Sequence, residues 1–218
     1  MRIKYPRTPH LPWSLGKGDD DKVLTSVDHF IGKDVTVTIK MDGECTTLYS
    51  DYIHARSLDS KHHESRSWMK AFHAEVRHLI PPGYRICGEN LYAKHSIHYL
   101  NLDSFFLVYS VWNEENISLA WKEVETWCSL LGLKTVPVIY SGFYPELMIQ
   151  DFPKILNTFH GDPCEGYVVR VSDSFPYSEF STCVAKFVRA SHVQTDKHWM
   201  SQPVVPNQLK GDTFANHR

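Results

Sequence analysis

The residues Asp34 to Lys40 alternate apolar and polar side chains, and the run ends on a lysine followed by Met41, Asp42 and Gly43. A lysine at a strand end can be presented at the mouth of a pocket as a nucleophile, provided it is neutral. Its unperturbed pKa of about 10.4 makes that state costly, on the order of 4 kcal/mol at neutral pH. Chemistry at Lys40 therefore calls for burial, further cations and a metal ion nearby to lower it. Taken alone, the four residues also read as an Asp-Gly turn with a solvated lysine before it. Three more charged residues follow in order. Glu89 closes the run from Tyr84, Glu165 opens the run to Arg170, and Lys186 lies within Val184 to Arg189. Each by itself fits a solvated strand end. Four in succession, all at strand ends, form a candidate constellation.

The elements that must position them can be read from periodicity. Val35, Val37 and Ile39 on one side, with Thr36, Thr38 and Lys40 on the other, predict a half-buried strand over Asp34 to Lys40. Thr46 to Ser50 predicts the next strand, and the intervening Asp42-Gly43 predicts a hairpin. Ser65 to Leu79 places Trp68, Phe72, Val76 and Leu79 at helical spacing, stopped by Pro81-Pro82-Gly83. Strands are expected over Tyr84 to Tyr92 and Phe105 to Trp112. A helix is expected over Ser118 to Leu131, with Trp121, Val124, Cys128 and Leu131 inward and Gly132 as its stop. Pro137 interrupts Leu133 to Tyr140 and marks it as an edge strand. A third helix is expected over Pro145 to Phe159, then strands over Gly166 to Val171 and Val184 to Val188. The tail His192 to Arg218 has no clear period. Hairpins interleaved with helices predict an α+β fold rather than a doubly wound parallel sheet.

Composition narrows the class. The chain has 218 residues, 42% hydrophobic and 22% charged, as expected for a globular domain that can bury its own core. No run is long enough for a membrane helix, and the basic N-terminus lacks the apolar stretch of a signal peptide. Cys45, Cys87, Cys128, Cys164 and Cys183 are widely spaced and make no C-x-x-C pair, which implies reduced thiols and a cytoplasmic location. The 13 histidines are scattered rather than paired at ligand spacing. A net charge of −2 excludes a long basic footprint, so contact with nucleic acid must come from a local patch.

Together, the charged residues resemble the motifs of the covalent nucleotidyltransferases: DNA ligases, RNA ligases and mRNA capping enzymes. Lys40 to Gly43 resembles the motif whose lysine takes the nucleotide, with Asp42 as part of the catalytic group. Ala55-Arg56-Ser57 is similar to the arginine motif that follows. Arg85 to Glu89 resembles the motif whose glutamate contacts the ribose, and Phe106 to Val111 the strand whose ring, here Tyr109, stacks on adenine. Glu165-Gly166 resembles the metal-linked motif, and Lys186 the lysine that contacts the α-phosphate. The resemblance also implies nucleotide contacts from Ile39 and Gly43. Where the family has a second lysine after Lys186, this chain has Val188, so Arg189 or Lys94 is expected to face the outgoing pyrophosphate.

The stretches 54–60, 88–96 and 186–200 resemble a group of small bacterial and phage RNA ligases. That implies joining of RNA 5′-phosphate and 3′-hydroxyl ends through ATP, with Mg²⁺ or Mn²⁺ held by Glu165 and Glu89. It also implies a monomeric adenylation domain over residues 1–190. With 29 residues after Arg189, the tail 191–218 is expected to hold no oligonucleotide-binding barrel. Joining of DNA or mixed strands and binding without catalysis are the alternatives, and a capping-type transfer is a more distant one.

Overall fold

The computed structural model describes residues 1–146, 148–154, 164–190 and 203–211. The β-branched run Asp34–Lys40 forms strand β1, as its composition favours. Two antiparallel sheets follow from its surroundings. The smaller has the order β11-β9-β1-β8 and consists of β1, β8 (Val138–Phe143), β9 (Gly166–Val171) and β11 (Val184–Val188).

The larger sheet runs β10-β6-β5-β4-β2-β3. Its strands are β2 (Glu44–Leu48), β3 (Ile53–Ala55), β4 (Arg85–Asn90), β5 (Phe106–Trp112), β6 (Ile117–Ser118) and β10 (Phe175–Pro176). A short strand, β7 (Lys134–Thr135), adds parallel to β5. With helices α1 (Ser67–Val76) and α2 (Trp121–Leu131), the fold is α+β, as expected. Gly132 ends α2 at φ 67°, a left-handed conformation that glycine adopts at little cost.

Three expectations are corrected. Asp42-Gly43 does not close a hairpin: β1 pairs with β8 and β9, whereas β2 pairs with β3 and β4. The chain crosses from one sheet to the other at this turn. Asp42 N donates to Tyr99 Oη at 3.0 Å instead of to a hairpin partner. Second, β1 is buried on both faces rather than one, Thr36 and Thr38 included: Thr36 Oγ1 lies 2.9 Å from Ser172 Oγ, and Thr38 lines a cavity together with residues of the larger sheet. Third, α1 buries Met69, His73 and Val76, with Trp68 and Phe72 only partly covered and Leu79 exposed. Its helix stops at Val76 and a tighter turn, Arg77–Leu79, rotates the last leucine outward.

Proline at 137 splits the expected edge segment into β7 and β8, and β8 does lie at a sheet edge. The expected helix from Pro145 shows a tight turn at Ile149–Asp151, and its remainder from residue 155 lies outside the described residues. Residues 9–11 run beside β11, with Lys186 N donating to Pro9 O and Leu11 N to Lys186 O, so the N-terminal segment covers that sheet edge. Of the C-terminal tail, residues 203–211 are described, and they pack against the loop that follows β4.

Candidate active site

A cavity of about 570 Å³ opens between the two sheets. Lys40 reaches it from the end of β1, where it pairs with Gly166 of β9. That pairing brings Glu165, the residue before β9, alongside, and Lys40 Nζ donates to Glu165 Oε2 at 2.7 Å. Glu89 arrives from the other sheet, opposite Cys45 in the β2–β4 register. Gly43 makes the crossing tight. A Cβ there would sit 2.5 Å from Asn90 O and 2.9 Å from Glu89 Cγ, so only glycine lets the turn lie on the end of β4. Gly166 plays the same part at β11: a Cβ would meet Phe187 O at 1.9 Å. Lys186 sits on β11 opposite Val168.

The electrostatics differ from the sequence expectation for Lys40. Burial pulls its pKa down, but Glu165, Glu89 and Asp42 together hold it above the ordinary value. The lysine is stored as an ammonium among carboxylates. Glu89 is pushed up to about 8, by burial first and by the neighbouring Glu165 and Asp42, against the attraction of Lys40. Lys186 is pushed down, by burial and then by Lys40. Behind it, His10 is 1% exposed and falls to about 4 through burial and the nearby Lys186; its Nδ1 is 2.7 Å from Ser14 Oγ.

Tyr109 faces the cavity because of a bulge. The β4–β5 register shifts between Cys87 and Gly88, whose partners are Ser110 and Val108, leaving Tyr109 as the extra residue. Its hydroxyl donates to Cys45 Sγ at 2.9 Å. Tyr5 packs edge-on against its ring, with centroids 5.1 Å apart. Farther in, Arg170 is buried, and its guanidinium donates to Val171 O and Leu119 O at 3.1 and 2.9 Å. Burial lowers it to about 10. The nearby Ser118 hydroxyl, also buried, has no hydrogen-bond partner among the described residues.

Of the residues singled out in the sequence, Ile39, Lys40, Gly43, Arg56, Glu89, Tyr109 and Lys186 line the cavity. Arg56 Nε is buried there with no partner among the described residues, as suits a group awaiting an anion. Glu165 touches the cavity through Lys40. Asp42 faces away: its Oδ2 accepts from Ser96 N and Ile97 N at 2.8 and 2.7 Å. Lys94 is exposed and Arg189 Nε donates to Cys164 O, and neither lines the cavity. Tyr5, Asp21 and Ser118 also line it, and none of them carries a recognisable signal in the sequence. They lie in segments without period, or in a two-residue strand.

Among the described residues no group of three or more His, Cys, Asp or Glu side chains is set to enclose a metal ion. The pair Glu89 and Glu165 nonetheless suits a hard cation that takes one or two carboxylates and completes its shell with phosphate oxygens and water. Burial first, and then Glu165 and Asp42, hold Glu89 near 8, and a cation beside it would favour the ionised carboxylate.

Several solved structures share the fold. An archaeal ATP-dependent RNA ligase (form 1) superposes with a TM-score of 0.55 at 16% identity, covering 85% of this chain and 48% of that one. The Naegleria gruberi RNA ligase with PPi gives 0.58 at 15%, covering 89% and 63%. A mutant of the same Naegleria ligase with ATP and Mn gives 0.53 at 14%, covering 77% and 53%. The chain thus spans about half the length of the archaeal ligase. No curated protein matches the sequence. The model describing the RNA ligase family matches residues 33–188, from the start of the smaller sheet to the end of β11 and well over half of the chain. This chain belongs to the RNA ligase family.

Proposed function

We propose that this protein is an ATP-dependent RNA ligase that joins 5′-phosphate and 3′-hydroxyl ends through AMP carried on Lys40. The observation that carries the reading is Lys40 Nζ, bonded to Glu165 at 2.7 Å and facing a cavity that Glu89, Tyr109 and Lys186 also line. The family membership and the likeness to ligase structures support it.

In the first step the bond to Glu165 loosens and Lys40 loses its proton to solvent. The Nζ lone pair then attacks the α-phosphorus of ATP, a P–N bond forms, and the P–O bond to the departing pyrophosphate breaks. Lys186 and Arg56 face the negative charge that builds on the α-phosphate. In the next steps AMP passes to the 5′-phosphate of the polynucleotide, and a 3′-hydroxyl displaces it. Such chemistry depends mainly on positioning and on charge neutralisation. Tyr109 would stack on the adenine, Ile39 and Gly43 would border the nucleotide, and Glu89 would contact the ribose.

Mg²⁺ or Mn²⁺ would be held by Glu165 and Glu89 and would supply positive charge to the phosphates. Residues 1–190 would form the adenylation domain, working as a monomer in the cytoplasm. No helix among the described residues is long and apolar enough to cross a membrane.

Intact-mass spectrometry after incubation with ATP and Mg²⁺ tests the reading. One added AMP is expected on the wild type and none on Lys40→Ala, with GTP giving no adduct. An adduct that persists in Lys40→Ala, or none on the wild type, would overturn it.

A further inference from the structure

Residues 203–211 are bonded along the loop between β4 and β5. Lys94 N donates to Val205 O at 2.8 Å, Gln208 N to Tyr99 O at 2.9 Å and Leu102 N to Gln208 O at 3.0 Å. In the middle lies Asn207, 2% exposed. Its Nδ2 donates to Leu91 O at 2.7 Å and its Oδ1 accepts from Tyr99 N at 2.9 Å. Its own N–H donates to Tyr92 O at 2.8 Å. One side-chain amide therefore pins both ends of the segment from Leu91 to Tyr99.

Both pinned ends touch the turn that carries Lys40. At one end, a Cβ on Gly43 would come within 2.8 Å of Leu91 Cδ2, so the Leu91 side chain closes directly over the glycine. At the other, the Tyr99 hydroxyl accepts the Asp42 N–H at 3.0 Å. Between the ends, the amides of Ser96 and Ile97 both donate to Asp42 Oδ2. Hydrogen bonds from backbone amides to a carboxylate are charge-assisted and stronger than neutral ones. They hold Asp42 only while the loop keeps its shape. An unpinned loop would recover backbone conformational freedom and loosen its hold on Asp42.

We infer that Asn207 is a positioning residue for Lys40. It fixes the loop, the loop fixes Asp42, and Asp42 fixes the turn from which Lys40 enters the cavity. The C-terminal segment is then a working part of the centre where AMP is attached. This rests on the lysyl-AMP reading of Lys40.

Single-turnover formation of lysyl-AMP separates this role from simple support of the fold. Asn207→Ala should keep ATP affinity within about threefold and lower the rate constant at saturating ATP by about ten- to a hundredfold, the scale expected for a small displacement of a reacting group. Tyr99→Phe, which deletes the oxygen that accepts from Asp42, should show the same pattern in a folded protein even if Asn207→Ala folds poorly. The double variant should be no slower than the slower single one, because both act through one connection. Wild-type rates at saturating ATP in both single variants would overturn the inference, as would a loss confined to ATP affinity or fully additive effects. Failure of the wild type to form lysyl-AMP would instead remove the proposed function.

Discussion

Lys40 Nζ and Glu165 Oε2 lie 2.7 Å apart at the paired ends of β1 and β9, and this bond favours the protonated form of the lysine. The contact costs reactivity at rest. Burial alone would free the lysine, but the carboxylates around it outweigh burial and raise its pKa. Activation must therefore weaken the grip of the carboxylates, and a cation arriving beside Glu165 and Glu89 would do so.

Glu165→Gln should move the acidic limb of the pH profile for lysyl-AMP formation to lower pH. The sign follows from the charges: Glu165 favours the ammonium, so its neutral replacement lets Lys40 lose its proton more easily. Rates measured across pH at saturating ATP and Mg²⁺ give the midpoint. A midpoint that does not move would show that the Lys40 proton does not limit the step. At limiting Mg²⁺ the same variant should be slower than the wild type if Glu165 holds the ion as proposed, since one carboxylate oxygen is lost.

Glu89 makes a separate prediction about stability. Its folded pKa is about 8 against an ordinary 4.5. Below about pH 4.5 the carboxyl is protonated in both folded and unfolded chains. As pH rises from there to about 8, the unfolded chain ionises while the folded one does not, so the wild type loses stability. Glu89→Gln cannot ionise and should escape this loss. Its melting temperature relative to wild type should climb between pH 5 and 8 and level off above. A constant difference across that range would mean that Glu89 is already ionised in the fold.

Much of this arrangement was legible in the sequence. The alternation of Asp34 to Lys40 marks β1 to the residue, and Gly132 marks the end of α2. The charged residues stood out because each ends, opens or lies within a β-rich run, although Lys186 proves to be the middle residue of β11 rather than a strand end. The hairpin misled, because Asp42-Gly43 is a turn signal with local meaning only. Whether it joins neighbouring strands depends on β4 and on Tyr99, both far along the chain. Tyr5 and Asn207 were invisible for a related reason. Each lies in an aperiodic stretch, and its role comes from contacts with Tyr109 or with Leu91 and Tyr99. The cavity-facing role of Tyr109 was read from resemblance, whereas the bulge that turns it inward appears only in the register of β4 and β5.

Tyr109 can be probed by separating its ring from its hydroxyl. Stacking a base on an aromatic side chain contributes about 1–3 kcal/mol by alanine substitution. Tyr109→Ala should therefore raise the ATP concentration needed for half-maximal lysyl-AMP formation by roughly five- to a hundredfold. Tyr109→Phe keeps the ring and loses the bond to Cys45 Sγ, and its effect should be much smaller. Equal losses in the two variants would assign the role to the hydroxyl.

The hold on the polynucleotide should be short and only weakly salt-dependent. The chain carries a net charge of −2, and several exposed cations are already engaged: Arg2 with Asp51, Arg7 with Asp20, Lys210 with Asp103. Around the cavity the positive groups are Arg7, Lys40, Arg56, Arg170 and Lys186. Arg170 is deeply buried, and Lys40 would lose its charge on taking AMP. About two to four cations then remain for the phosphates of an incoming end, counting those at the rim. Each neutralised phosphate of a single strand adds about −0.7 to the slope of log affinity against log salt, so a slope of roughly −1.5 to −3 is expected. Binding of RNA ends should be weak until Lys40 carries AMP. End-joining by pre-adenylylated protein on matched RNA, DNA and mixed substrates, across a salt series, measures both points. A slope several times steeper would reveal a binding surface beyond the cavity. Efficient sealing of all-DNA ends without RNA joining would change the substrate and leave the chemistry of Lys40 in place.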